Sequence, residues 1–318
     1  MSAALAWLAT PIARPRPLPT LPSADDALAR AGSAGCSKGA KRVRESSSSP
    51  PTPLAPPPPP PSRPSARGRA VPPPRVPAGD YHLLDRPDAV VRLLPAELAR
   101  ECTPALFDQL WRFSRHVPET RNPMNANATI LRKQATFGAC YRFGAQLSPR
   151  VNLPQEEWPA LVRVALADAV GRVDERRRAD FAAAAAAHVN WYPNGRSGMG
   201  RHADAEPSLV PGAPIFSYTF YSRGVASPER LFDWYRVGAK KPFAATPLGH
   251  GDLLIMCGET QRAAEHGVRA TAAKAHENVR RVNITVRAFN DKGGDRVTKG
   301  GLGASVVTVR GDKFEASV

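Results

Sequence analysis

The chain has 318 residues, a formal charge of +16 and an isoelectric point near 10.4. That balance points to a polyanionic partner, nucleic acid or an anionic surface, without choosing between them. Four cysteines without CxxC spacing exclude a disulfide scaffold and a readable zinc site, and no apolar run is long enough for a membrane-spanning helix.

Residues 1–78 are rich in Pro, Ser, Ala and Arg, with a proline run at Pro56–Pro61 and a serine run at Ser46–Ser49. Few large apolar residues are available to offset ordering entropy, so this segment is predicted to be a disordered tail, with its polyproline stretches acting as spacers or as ligands for partner modules. Eleven Lys and Arg against three acids give it half of the chain's +16. The cluster Lys38–Arg44 has the composition of a nuclear import signal, while the apolar, then Arg-bearing start fits an organelle transit peptide. The first eight residues lack the basic region of a secretory signal, so the expectation is a soluble intracellular monomer, nuclear in the first instance.

Residues 79–295 are long enough for one well-buried domain, followed by an extension at 296–318. Apolar residues at helical spacing predict amphipathic helices over Pro104–Val117 and Glu156–Val173. Ala182–Ala187 favours helix whereas His188–Tyr192 favours strand, which predicts a change of structure near Ala186. Short β-branched and aromatic runs then predict strands at Pro214–Tyr221, Leu231–Val237, Asp252–Cys257 and Arg281–Phe289. The end carries one strand-like run, Ser305–Val309, in what otherwise resembles a frayed terminus. Helices first and strands afterwards imply an α+β domain built on an antiparallel sandwich or jelly roll.

The chemistry is carried first by His202-Ala-Asp204. Alternate residues of an extended chain point to one side, so both side chains can reach one metal. A further histidine would complete a facial triad, which leaves adjacent positions open for a chelating cosubstrate and O2 on Fe(II); His250, His266 and His276 are the downstream choices. The strand Arg281-Val-Asn283-Ile-Thr285-Val-Arg287 places four polar residues on one face, and guanidinium forks suit a buried dicarboxylate. Arg280 competes with Arg281, but its spacing to Asn283 is wrong for that face.

Taken together, Arg132–Gly138, Asn190-Trp-Tyr192, His202–Leu209, Gly251–Met256, His266 and the RxNxTxR strand resemble the AlkB family of iron(II)- and 2-oxoglutarate-dependent dioxygenases, over about Arg132–Phe289. The resemblance implies a double-stranded β-helix, a jelly-roll form with N-terminal flanking helices. It implies Fe(II) on His202, Asp204 and His266. It also implies 2-oxoglutarate bound by Arg281, Asn283 and Tyr192 at its distal carboxylate and by Arg287 and Asn190 near the iron-chelating end, with Thr285 on the same face. His188 and His116 are then structural.

Tyr141 and Phe143 match family positions where aromatic rings contact the target base, and Glu206 matches an acid near the base. Arg132, Lys133, Arg142 and Arg201 would hold phosphates. The implied activity is oxidative demethylation of N-alkylated bases such as 1-methyladenine and 3-methylcytosine, releasing formaldehyde, succinate and CO2. The same chemistry on an RNA modification, a protein or a lipid is the alternative, and a non-catalytic nucleic-acid-binding adaptor is a third reading. Two departures from the family, Ala205 in place of a second acid and the run Tyr218–Gly224 in place of a compact Ser-Phe-Gly strand end, bear on substrate scope and remove no iron or cosubstrate group.

Overall fold

The computed structural model describes residues 77–122, 125–138, 142–143, 146–147 and 150–290, together with short strands at 16–17, 306–310 and 313–317; only the backbone is described at 120–122, 125–129, 142–143, 146–147 and in those three strands. In chain order the elements that build the domain are β1 (Gly79–Leu83), β2 (Arg86–Leu94), α1 (Pro104–Phe113), β3 (Lys133–Phe137), α2 (Ala160–Arg172), α3 (Glu175–Ala184) and β4 (Ala185–Tyr192). They continue with β5 (Met199–His202), β6 (Ile215–Tyr221), β7 (Arg230–Arg236), β8 (Ala244–Leu248), β9 (Leu253–Gly258), β10 (Ala264–Val268) and β11 (Arg281–Ala288).

Two sheets form. The major sheet runs β1-β2-β9-β6-β11-β4-β3, each neighbouring pair antiparallel, and continues through Arg150–Asn152 into the strands at 306–310 and 313–317. The minor sheet runs β5-β10-β7-β8. This is the α+β arrangement of two antiparallel sheets expected for a double-stranded β-helix, with helices flanking one side.

The predicted helix at 104–117 begins on Pro104, where a missing N–H costs nothing, and the Thr103 hydroxyl accepts from Leu106 N–H. The second predicted helix starts four residues later than the periodicity implied. Pro159 disfavours helical backbone at Trp158, so Gln155–Glu157 make only a 3-10 turn and α2 begins at Ala160. The change from helix to strand falls at Ala184/Ala185, because β4 pairs with both β3 and β11 and that pairing outweighs alanine's helical preference. Strands β1, β2, β3, β8 and β10 were not predicted, nor was the part of helix α3 that precedes Ala182. Lys313–Ser317 is a strand paired with Val306–Arg310, which corrects the expectation of fraying there.

Both faces of the major sheet are buried, and its side chains divide by alternation. Val282, Ile284 and Val286 of β11 and Val189 and Trp191 of β4 pack with Phe107, Leu110, Leu161 and Val162 of the helices. Trp191 Nε1 donates to the carbonyl of Leu110 at 3.0 Å, and the Tyr218 hydroxyl donates to Asp168 of α2 at 2.7 Å. On the opposite side a second core, including Phe232, Trp234, Leu254 and Met256, fills the space between the sheets. The polar residues of β4 and β11 face that inter-sheet space.

Candidate active site

Strand β5 ends on His202, and His266 of β10 stands directly opposite in antiparallel register. Their ring centroids are 4.4 Å apart. Gly267 permits this approach: a Cβ there would meet the Met199 carbonyl oxygen at 2.9 Å. Two residues beyond His202, Asp204 completes a group whose ligand atoms all lie within 4.8 Å of one another, the only such group among the described residues. His202 Nε2 is 3.8 Å from Asp204 Oδ1, and His266 Nε2 is 3.8 Å from Oδ2. Donors each about 2.1 Å from a common ion can lie up to about 4.2 Å apart, so both pairs fit one divalent metal.

Each ligand is held by a neighbour. His202 Nδ1 is 2.9 Å from the Gly200 carbonyl, which assigns the proton to Nδ1 and leaves the Nε2 lone pair for metal. The Phe232 ring stacks on His266 at 5.0 Å, and burial, with His202 beside it, pushes the His266 imidazole down to about 3, so it stays neutral and able to ligate. Burial, the largest single influence, would raise the Asp204 carboxyl, but Arg287 with Nη2 at 2.7 Å, together with His266 and His202, holds the group ionised below the usual carboxylate range.

Gln261 is a site residue that the sequence did not single out. Its Oε1 accepts from the Asp204 N–H at 2.8 Å, while its Nε2 donates to Met256 Sδ at 3.2 Å. The amide therefore ties the metal-side loop to the turn after β9. Gln261→Ala is expected to weaken divalent-metal binding by about 10- to 100-fold, the usual effect of losing an outer-shell partner, as measured by Mn(II) titration.

Beside the triad lies a cavity of about 120 Å³. Its sheet wall includes the cross-strand pairs His188 of β4 with Thr285 of β11 and Asn190 with Asn283, and it ends at Tyr192, behind which Arg281 stands opposite in the register. Arg281 is 1% exposed, its guanidinium lies 4.8 Å over the Tyr192 ring, and Nη2 donates to Thr219 Oγ1 at 3.0 Å. Its Nε and Nη1 have no hydrogen-bond partner. Two buried cationic donors without an acceptor fit a carboxylate. Asn283 and Thr285 line the cavity too, with their polar atoms engaged inside the sheet: Asn283 Nδ2 donates to Ser217 Oγ and the Tyr218 carbonyl, and Thr285 Oγ1 donates to Asn283 Oδ1.

Several residues stand elsewhere than the sequence implied. Arg132, expected on a phosphate, is 7% exposed and lines the cavity, with Nη1 donating to Asn190 Oδ1 at 2.8 Å and touching Met199 Sδ. It directly precedes strand β3, which runs beside β4 with Gln134 opposite Asn190, and this turns the arginine inward. Lys133 donates to the Ser114 carbonyl and Arg201 pairs with Glu265, whereas the Arg142 side chain lies outside the described residues. His188, expected to be structural, lines the cavity with Nδ1 3.0 Å from Thr136 Oγ1; burial, then Arg287 and Arg132, hold it far below the usual range and so neutral.

His250 accepts from the Tyr221 N–H within its turn and His276 lies in the 3-10 turn Lys274–His276; neither joins the metal group. Arg280 stacks on Trp111 and pairs with Asp108, away from the cavity. Glu206 lines a second cavity of about 370 Å³, which shares Asp204 and Arg287 with the first. Tyr141 and the side chain of Phe143 lie outside the described residues.

Comparison with known proteins gives the same picture. Residues 90–287, more than half of the chain, match the family model described as the 2OG-Fe(II) oxygenase superfamily. A curated relative, "Alpha-ketoglutarate-dependent dioxygenase alkB homolog 3" of Rattus norvegicus, is 36% identical over 104 residues, 31% of this chain and 33% of that protein. The chain thus spans about a third of that relative's length. Among solved structures, that of OsALKBH1 is 17% identical with a TM-score of 0.43, covering 64% of this chain and 98% of that one. A family match of such extent, on a chain that gathers two histidines and an aspartate at one point, establishes membership: this protein belongs to the 2OG-Fe(II) oxygenase superfamily and is similar over part of its length to AlkB homologues.

Proposed function

We propose that the protein removes N-linked alkyl groups from bases in nucleic acid by oxidising the alkyl carbon. The observation that carries the reading is the meeting of His202, Asp204 and His266 at the edge of a cavity walled by buried guanidinium groups. In it, His202 Nε2, His266 Nε2 and the Asp204 carboxylate hold Fe(II), which with 2-oxoglutarate and O2 supplies the oxidation of an N-methyl carbon, yielding succinate, CO2, formaldehyde and the unmodified base.

The chain's own residues bind and orient. Arg281 takes one carboxylate of the cosubstrate through its two partnerless donors, with Tyr192 beneath it. Asn190 lines the cavity with its Oδ1 engaged by Arg132 and offers its amide Nδ2 as a donor to the cosubstrate. Arg287 keeps Asp204 ionised, and the neutral His266 ring is fixed between Phe232 and the triad. Glu206, across the shared wall, offers a carboxylate to a cationic alkylated base over its neutral form. The substrate class rests on the resemblance to AlkB proteins and on the +16 charge, half of it outside the first 78 residues.

The test is a panel of oligonucleotides, DNA and RNA, carrying 1-methyladenine or 3-methylcytosine, incubated with Fe(II), 2-oxoglutarate and O2 while formaldehyde and succinate are measured. Formaldehyde in step with succinate on at least one methylated strand is the expected result. Succinate release without formaldehyde from any of them overturns the substrate and leaves the oxygenase.

A further inference from the structure

We infer that the tip of the β7–β8 hairpin, residues 236–241, grips phosphates: Arg236, Lys240 and Lys241 hold the nucleic-acid backbone beside the metal site. The inference rests on the reading that the substrate is nucleic acid.

The first argument is charge left unneutralised. Arg236-Val-Gly-Ala-Lys-Lys241 carries three cations and no acid, and all three cationic residues are exposed. Elsewhere on the minor sheet the exposed arginines are paired, Arg201 with Glu265 and Arg269 with Asp233. Arg236 has the Phe243 ring beneath its guanidinium, at 5.9 Å, and no carboxylate among the described residues pairs with it or with either lysine. Like charges held this close repel one another, and a chain of phosphates is the partner that offsets such a row.

The second argument is that the tip is a built element whose fold makes no use of those charges. Gly238 supplies the left-handed backbone of the turn, at φ +77°, and the Ala239 N–H closes it on the Arg236 carbonyl at 2.8 Å. Glu265 Oε2 accepts from the Gly238 N–H at 3.2 Å and pairs with Arg201 Nε at 3.0 Å, while Arg201 Nη1 donates to the Ala239 carbonyl. Arg201 and Glu265 cancel each other and clamp the backbone of the tip. The cations that read in the sequence as phosphate ligands are consumed by the fold at Arg132, Lys133 and Arg201; the clamp built on Arg201 instead presents the three next to it.

The third argument is place. In the minor sheet His202 stands opposite His266, and His266 opposite Trp234, two residues before Arg236. Two strand spacings across and two residues along put the start of the tip on the order of 10 Å from the metal ligands. The clamp reaches Arg201, the chain neighbour of His202. A base drawn to the metal keeps its sugar and phosphates attached, so the backbone flanking it must pass within a nucleotide's length of that point. Contacts of this kind position the strand and carry no sequence information.

The experiment uses the full chain, as wild type, as the combined variant Arg236→Gln, Lys240→Gln, Lys241→Gln, and as the charge-preserving variant Arg236→Lys, Lys240→Arg, Lys241→Arg, with Mn(II) binding as the check of fold. Affinity for a labelled, methylated single-stranded oligonucleotide is followed by anisotropy over a series of salt concentrations. Three phosphate contacts at about 0.7 each predict that the slope of log affinity against log salt falls by about 2 in the glutamine variant, with Kd raised by about 10- to 100-fold near 0.1 M salt. The tail, with its own eleven Lys and Arg, is present in every protein and drops out of the difference. The charge-preserving variant should stay within about threefold of wild type. An unchanged slope and Kd in the glutamine variant overturn the role of the hairpin, as does an equal loss in the charge-preserving one. Vesicles of phosphatidylcholine and phosphatidylserine are the second probe: vesicle binding lost with oligonucleotide binding retained makes the tip a membrane contact and overturns the proposal. A wild type that binds Mn(II) and no oligonucleotide at any salt overturns the nucleic-acid reading itself.

Discussion

His202→Ala is expected to abolish both metal loading and succinate release, by more than about a thousandfold, beyond the 10- to 100-fold usual for groups that only support a ligand. The histidine is the better target than Asp204 for a physical reason. Asp204 is the ion-pair partner of Arg287, so removing the carboxylate would leave a buried guanidinium unpaired and mix a stability loss with the loss of metal. His202 has a side chain 13% exposed, with Nδ1 on the Gly200 carbonyl and Nε2 beside Asp204. Its truncation removes a metal donor and leaves the sheets intact. Mn(II) binding measured by titration and succinate measured with excess Fe(II) should fall together while the far-ultraviolet circular dichroism is unchanged. Succinate release that survives the substitution would remove the triad from the mechanism.

The triad and the arginine strand were readable for the same reason: both use the two-residue period of extended chain, which is a property of local sequence. His-x-Asp at 202–204 and the face Arg281, Asn283, Thr285, Arg287 need no knowledge of what lies opposite. What decides the remaining site residues is long-range. Arg132 sits next to Lys133 and reads as one of two surface cations; only the pairing of β3 with β4 sends one into the cavity and the other to the Ser114 carbonyl. Gln261 joins the site through one hydrogen bond to a backbone N–H 57 residues away, which leaves no local pattern. His188 belongs to the same alternation as Asn190 and Tyr192, so the strand period could have placed it on the cavity side. The fold class followed from the order of helices and strands, whereas β1 and β2 were masked by the proline-rich composition that precedes them.

Arg281→Met should separate cosubstrate binding from stability, moving the two in opposite directions. The arginine is 1% exposed with two of its three nitrogens unbonded, so in the absence of an anion it is a charge held out of water with half its donors unmet. Methionine follows the same path beneath the fork and adapts to its surroundings, at the loss of the bond to Thr219 and the contact with the Tyr192 ring. Exchanging a poorly satisfied buried ion for an apolar chain is stabilising by about 1 kcal/mol on balance, a rise in Tm of about 2–4 °C for a domain of this size. Wild type should gain a further 2.7 kcal/mol or so at a hundredfold excess of 2-oxoglutarate over its Kd, whereas the variant should gain almost nothing, because its affinity falls by about 100-fold or more. Scanning calorimetry on the Mn(II)-loaded proteins, with and without 2-oxoglutarate, reads both quantities. A variant that melts several degrees below wild type yet retains the cosubstrate-induced rise would show that Arg281 is a structural cation and that the dicarboxylate is held elsewhere.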